Sequence, residues 1–199
     1  MARTLARGDI YFYENRDGDV SLPTFGNVAL GGTFDRLHNG HRKLLTLAAG
    51  SCTRRLIIGI TGDVMLSKKK GKDQIRSYQS RKEEVLSFLR SVKPGLDYEP
   101  VELADPFGPT ITEASIEAIV VSSETVAGAH AINTKRKEAG LAPIATLVMR
   151  RSESATLSST FIREREARGG ETTATHTRGR GLMRVWAAIR TLFAPERES

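Results

Sequence analysis

A single cysteine in 199 residues leaves no internal disulfide framework and no cysteine-based zinc site. Cys52 stands in "AAGSCTRRL" without a base beside it in sequence, and is expected to be a half-buried structural thiol rather than a nucleophile. The scarcity suits a reducing compartment, and the cytoplasm is the expected location. No apolar run approaches the roughly 18–20 residues that a membrane-spanning helix needs. "MARTLARGDIYFYENRDGD" offers no uninterrupted apolar stretch, so no secretory leader is expected. Aromatic residues are sparse at 6%, and they do not interleave with the basic clusters as in single-strand nucleic-acid binders. Acid is also short of base, 23 Asp and Glu against 30 Lys and Arg, for a formal charge of +7. The excess is local. "SKKKGK" with Arg76, Arg81 and Lys82 follows a predicted strand and suits a polyanionic small molecule, whereas Ala174 to Arg190 holds four arginines and no acid, as in a basic tail. No nucleic acid is expected as partner.

What is present is an alternation of buried strands and helices. "NVALGG", "RRLIIGIT", "LDYEPVEL", "AIVVSS" and "PIATLVMRR" are short strands, several of them continuous apolar runs, the signature of a parallel sheet covered on both faces. Between them, helical spacing marks Asn39 to Ala49, stopped by Gly50, then a helix capped by Ser80 and ended by Pro94-Gly95. "PTITEASIE" predicts a short helix, "TVAGAHAINTKRKEAG" a longer one stopped by Gly140, and "SSTFIREREARGG" a final capped helix. The expected fold is α/β, a Rossmann-like parallel sheet of about five strands with helices on both faces. Residues 1–25 form an N-terminal appendage with a possible hairpin at Asp17-Gly18. The main domain spans 26–168 and a linker 169–181. Residues 182–194 make a basic amphipathic helix, a candidate to dock on the domain or on a partner chain.

"GGTFDRLHNGHRKLL" crowds two glycines, two histidines and several cations into one strand-to-helix turn. Glycine admits close approach, and free amides at a helix start, with the helix dipole behind them, form an anion site. His38 and His41, three residues apart, project from the same side of one helical turn. A zinc pair of the HExxH type would need a different spacing and a glutamate. The pattern therefore points to phosphate.

"GGTFDRLHNGH" resembles the signature of the (T/H)xGH nucleotidyltransferase superfamily. "TGDVMLSKKK", "IRSYQSRKEEV", "DPFGPTITE", "AIVVSSETVAGAHAINTKRKEAGL" and "LSSTFIRERE" resemble successive blocks of its archaeal and eukaryotic phosphopantetheine adenylyltransferases, from about Asn27 to Ala167. The resemblance implies that ATP and 4′-phosphopantetheine react to give dephospho-CoA and pyrophosphate in coenzyme A synthesis. It implies that Gly32, Gly40, Thr33 and the Phe34 amide position the phosphates. His41 would donate to the α-phosphate, and His38 would line the nucleotide pocket. Lys68 would bridge the reacting phosphates, with Lys69 and Lys70 as alternatives. Ser158, Ser159, Thr160 and Arg163 would hold the β- and γ-phosphates. Arg76 and Arg81 either bind the pantetheine phosphate or pair with Glu83 or Glu84. Asp35 is expected to fix the turn. Mg2+ would arrive with ATP, with no protein metal site. Glu124 and Thr125 stand where bacterial enzymes carry an arginine, so adenine recognition is unassigned. The alternatives are another small-molecule nucleotidyltransferase (for CTP, FMN or NMN) or a catalytically silent binding protein on the same fold.

Overall fold

The computed structural model describes residues 8–13, 22–66 and 72–149. Six strands form one sheet: β1 (Ile10–Tyr13), β2 (Phe25–Gly32), β3 (Cys52–Thr61), β4 (Asp97–Leu103), β5 (Ala118–Ser122) and β6 (Ala145–Met149). Every pairing is parallel, in the order β1-β6-β5-β2-β3-β4. Four α-helices lie among the described residues: α1 (Asn39–Ser51), α2 (Asp63–Leu66), α3 (Tyr78–Val92) and α4 (Val126–Glu138).

The continuous apolar strands supply two cores at once, because successive side chains point to opposite faces. On β3, Leu56, Ile58 and Ile60 join the layer of α1 and α3, while Ile57 joins Ile119, Val121 and Val148 beside Ala129 and Ile132 of α4. The sheet has six strands rather than about five. The additional one is β1, whose residues pair in register with Thr146 to Met149 of β6. A hairpin would pair this segment antiparallel with its own continuation. On its described side β1 runs parallel to β6 and covers an edge that would otherwise present unpaired N–H and C=O groups. Asp17 and Gly18 lie outside the described residues, as do the predicted final helix, the linker and residues 182–194.

Three boundaries differ from expectation for local reasons. Helix α1 continues through Gly50 to Ser51, since Gly50 is an inward-facing helical position where a Cβ would sit 3.1 Å from Leu22. Ser77, not Ser80, caps α3, with the Ser80 amide donating to its Oγ. "PTITEASIE" makes only a 3-10 turn over Gly108–Ile111. The Arg136 guanidinium takes the Thr110 and Glu113 carbonyls that a continuing helix would have used itself. Gly140 does end α4, at φ +71°, and the Leu141 amide returns to the Arg136 carbonyl.

The strand order places the site. From β2 the chain moves outward to β3 and β4, then crosses to β5 on the other side of β2. The carboxyl ends of β2 and β5 therefore flank a topological switch point, where open α/β sheets take their ligands.

Candidate active site

The turn after β2 ends at this switch point. It holds two non-glycine residues in the left-handed region, Phe34 at φ 49° and Arg36 at φ 51°. Neither Gly32 nor Gly40 has a positive φ; both serve close approach. A Cβ on Gly32 would sit 3.0 Å from the Phe34 ring, and one on Gly40 would sit 2.9 Å from His38 Cε1. The glycines thus make room for the rings, while the phenylalanine and arginine bear the backbone strain.

His38 is the N-cap of α1. Its Nδ1 accepts from the Gly40 amide at 3.1 Å and the His41 amide at 3.4 Å. These bonds fix the tautomer, with the ring proton on Nε2. The Gly40 and His41 amides are thus engaged by imidazole. The His38 and His41 rings stack with centroids 3.9 Å apart, and Phe34 meets His41 edge-on at 5.4 Å. The pair does project from one side of the turn, and His41 is clamped between two rings.

Behind the turn lies a charged scaffold. Asp35 is wholly buried; its carboxylate accepts from Arg36, from the Arg76 amide and from Arg76 Nε. Arg76 also pairs with Glu84. Burial works against the Arg76 charge, but the Glu84 and Asp35 carboxylates outweigh it and raise its pKa. Arg81 is fully buried and pairs with neither Glu83 nor Glu84. Its guanidinium donates to the carbonyls of Thr33, Thr61 and Arg76. Burial lowers its pKa despite the nearby acids. The structure thus turns Arg81 inward, with its donors spent on carbonyls rather than aimed at a substrate phosphate, and it realises the ion-pair alternative for Arg76.

Gly32, Thr33, Phe34, His38, Gly40 and His41 are therefore gathered in one turn, with Arg76 and Arg81 behind it. Lys68, Ser158, Ser159, Thr160 and Arg163 lie outside the described residues. At the end of β5, Thr125 Oγ1 accepts from the Ser122 amide, so the "SSET" turn caps itself. On the far side of the sheet, Asp105 accepts from the Phe107 and Gly108 amides, and those bonds hold its pKa down. Cys52 is fully rather than half buried; burial raises its pKa, and its thiol donates to the Gly26 carbonyl. The bracing role of Arg81 escaped the sequence reading, although a signal existed. Arg81 shares the inward register of Val85, Leu89 and Val92 on α3.

A parallel sheet whose switch point carries a glycine turn and a histidine-capped helix defines a Rossmann-like α/β protein. A family model described as cytidylyltransferase-like matches residues 29–165. A phosphopantetheine adenylyltransferase of Pyrobaculum aerophilum is 39% identical over 142 residues, covering 70% of this chain and 90% of the relative. One of Saccharomyces cerevisiae is 43% identical over 157 residues, covering 75% of this chain and 52% of the relative. A crystal structure of a protein of unknown function from Archaeoglobus fulgidus superposes with a TM-score of 0.56 at 33% identity, covering 66% of this chain and 93% of that one. The chain belongs to the cytidylyltransferase-like family, and within it to the phosphopantetheine adenylyltransferases of archaeal and eukaryotic type. It spans about half the length of its yeast relatives, 52% in Saccharomyces cerevisiae and 48% of an uncharacterized protein of Schizosaccharomyces pombe.

Proposed function

We propose that this chain is a pantetheine-phosphate adenylyltransferase: it transfers AMP from ATP to 4′-phosphopantetheine, releasing pyrophosphate and forming dephospho-CoA for coenzyme A synthesis. The observation that carries the proposal is the His38–His41 stack at the switch point, in a chain whose archaeal relatives of that name match it along most of their length. A phosphate oxygen of the pantetheine substrate attacks the α-phosphorus of ATP in line. The bond from that phosphorus to the bridging oxygen breaks, and pyrophosphate leaves. The nucleophile is already an anion, so no strong general base is required. Rate enhancement comes from positioning and from donors aimed where charge builds.

Within this scheme His41, held between the His38 and Phe34 rings, donates to the α-phosphate. His38 keeps the helix start and the His41 ring in place. Thr33 and the Phe34 amide position the reacting phosphates, with Gly32 and Gly40 seating the Phe34 and His38 rings beside them. Lys68 bridges the two phosphates, and Ser158, Ser159, Thr160 and Arg163 receive the β- and γ-phosphates. Arg76, paired with Asp35 and Glu84, contributes positive charge near the turn. No cluster of three or more His, Cys, Asp or Glu side chains able to hold a metal occurs among the described residues. In this reading Mg2+ arrives with the nucleotide substrate, carried on the phosphates of ATP. No helix among the described residues is long and apolar enough to cross a membrane. A cytoplasmic location and the docking of residues 182–194 onto a partner chain complete the proposal.

Pyrophosphate release from Mg-ATP and 4′-phosphopantetheine tests the assignment. Release is expected to require both substrates, to fail with CTP, and to fall about 10²–10³-fold in His41→Ala, as for loss of one donor to a developing oxyanion. Release without the acceptor, equal use of CTP, or full activity in His41→Ala would refute it.

A further inference from the structure

We infer that Arg81 is the positioning residue of the phosphate turn, setting the Thr33 carbonyl, and with it the segment from Thr33 to His41, at a fixed height against the end of β3. The role rests on the adenylyl transfer proposed above. Three features carry it. Arg81 comes from α3 with no exposed surface, and its closest carboxylate partner, Asp63, stands 3.9 Å away on a largely exposed side chain. A buried cation whose counter-charge is this distant and exposed is costly, so the site must gain from the guanidinium itself. What it gains is a planar fork of donors. Nε reaches the Arg76 carbonyl at 2.9 Å, one terminal nitrogen reaches Thr33 at 2.8 Å, and the other reaches Thr61 at 2.9 Å. These carbonyls belong to three separate segments, and no other side chain presents donors in that rigid arrangement.

The third feature is what the fork supports. Immediately after Thr33 the backbone enters the left-handed region at Phe34 and again at Arg36. Such strain persists only where the surroundings over-determine it. Asp35, between the two, is tied to the Arg76 amide, and the Arg76 carbonyl is tied to Arg81. The turn is therefore anchored at both ends of one short network, and the His41 ring sits on what that network holds.

The fold supplies its own control. Arg136 of α4 is equally buried, and its guanidinium also spans three carbonyls, those of Ala142, Thr110 and Glu113, on the opposite face of the sheet. Replacing either by lysine removes a fork; only one fork touches the phosphate turn. The experiment compares wild type, Arg81→Lys and Arg136→Lys by steady-state pyrophosphate release, thermal unfolding, and hydrogen exchange of peptides covering 31–42 and 104–115. Arg81→Gln is carried alongside in case a buried ammonium prevents folding. Arg81→Lys is expected to lower kcat about 10²-fold, the effect of a misplacement near 1 Å, with KM for both substrates nearly unchanged. Exchange should quicken at 31–42. Arg136→Lys should lose comparable thermal stability, exchange faster at 104–115, and keep its kcat. A raised KM for 4′-phosphopantetheine at unchanged kcat would make Arg81 a substrate ligand and overturn the inference, as would equal kcat losses in the two variants. If wild type released no pyrophosphate, the functional proposal would fail on its own. The exchange comparison would still decide the bracing role, which undiminished protection at 31–42 in Arg81→Lys would overturn.

Discussion

His38 performs two tasks that a pair of substitutions separates. Its Nδ1 caps α1 and its ring stacks on His41. The 3.1 Å bond from Gly40 lies within the ordinary range for N–H donors, whereas the 3.4 Å bond from His41 is long. The cap therefore amounts to one good hydrogen bond and one weak one, or about 1 kcal/mol, the usual cost of truncating an N-cap to alanine. A ring contact of this geometry adds about 0.5–1.5 kcal/mol. His38→Ala forfeits both, roughly 2 kcal/mol in all. Asparagine is a good N-cap with an acceptor at similar reach, so His38→Asn forfeits only the ring contact. The two variants should differ by about 1 kcal/mol in urea unfolding, or about 2–4 °C in midpoint temperature for a chain of this size. Their kcat for pyrophosphate release should fall alike, about 10-fold, because loosening of the His41 ring by ~1.4 kcal/mol is common to both. Equal stability of the two variants would mean that His38 is no cap. Full activity in His38→Asn would mean that the ring stack does not serve His41.

Two further perturbations probe the scaffold away from the turn. Gly108 combines φ +49° with a would-be Cβ position that collides with Leu103 Cδ2, whereas Gly95, at φ +84°, has nothing within 4 Å. Gly108→Ala should therefore lose about 1–3 kcal/mol more in urea unfolding than Gly95→Ala, through overpacking added to a shared backbone penalty; equal losses would contradict the Leu103 contact. The Tyr98 hydroxyl donates to the Leu89 and Lys93 carbonyls, and burial pushes its pKa from 10.0 to about 12. A raised folded-state pKa means its stabilisation is complete below pH 10.0 and disappears as the pH climbs to about 12, so Tyr98→Phe should flatten the fall in denaturation midpoint across that window; an unchanged slope would refute it.

Strand positions were legible in the sequence wherever an apolar run left no choice of exposed face, as in "RRLIIGIT", whose alternate residues divide between the two cores. β1 was legible only as a β-rich run; its parallel pairing was not, because its four residues sit at an edge where Ile10 and Phe12 remain 40% and 47% exposed, and its partner β6 lies far away in sequence. In the site, residue types were legible before their tasks. Glycine next to histidine suggested backbone freedom and free amides; the fold uses the missing Cβ atoms to seat rings, places the strain on Phe34 and Arg36, and spends the amides on His38. The deeper ambiguity concerns the cations. A site that gathers phosphates needs positive charge, but it also needs a rigid turn, and arginine serves either purpose. Composition cannot distinguish them; helical register can. Arg81 falls in line with Val85 and Leu89 and is buried, whereas its neighbours Lys82, Glu83 and Glu84 are not. Arg136 follows Ala129 and Ile132 in the same way on α4. An arginine in the apolar register of a helix beside a phosphate turn must spend its donors on backbone, because no substrate reaches it there. On the proposed function, the charge that meets the substrate comes from residues off that register, while Arg81 ties the Thr33, Thr61 and Arg76 carbonyls together.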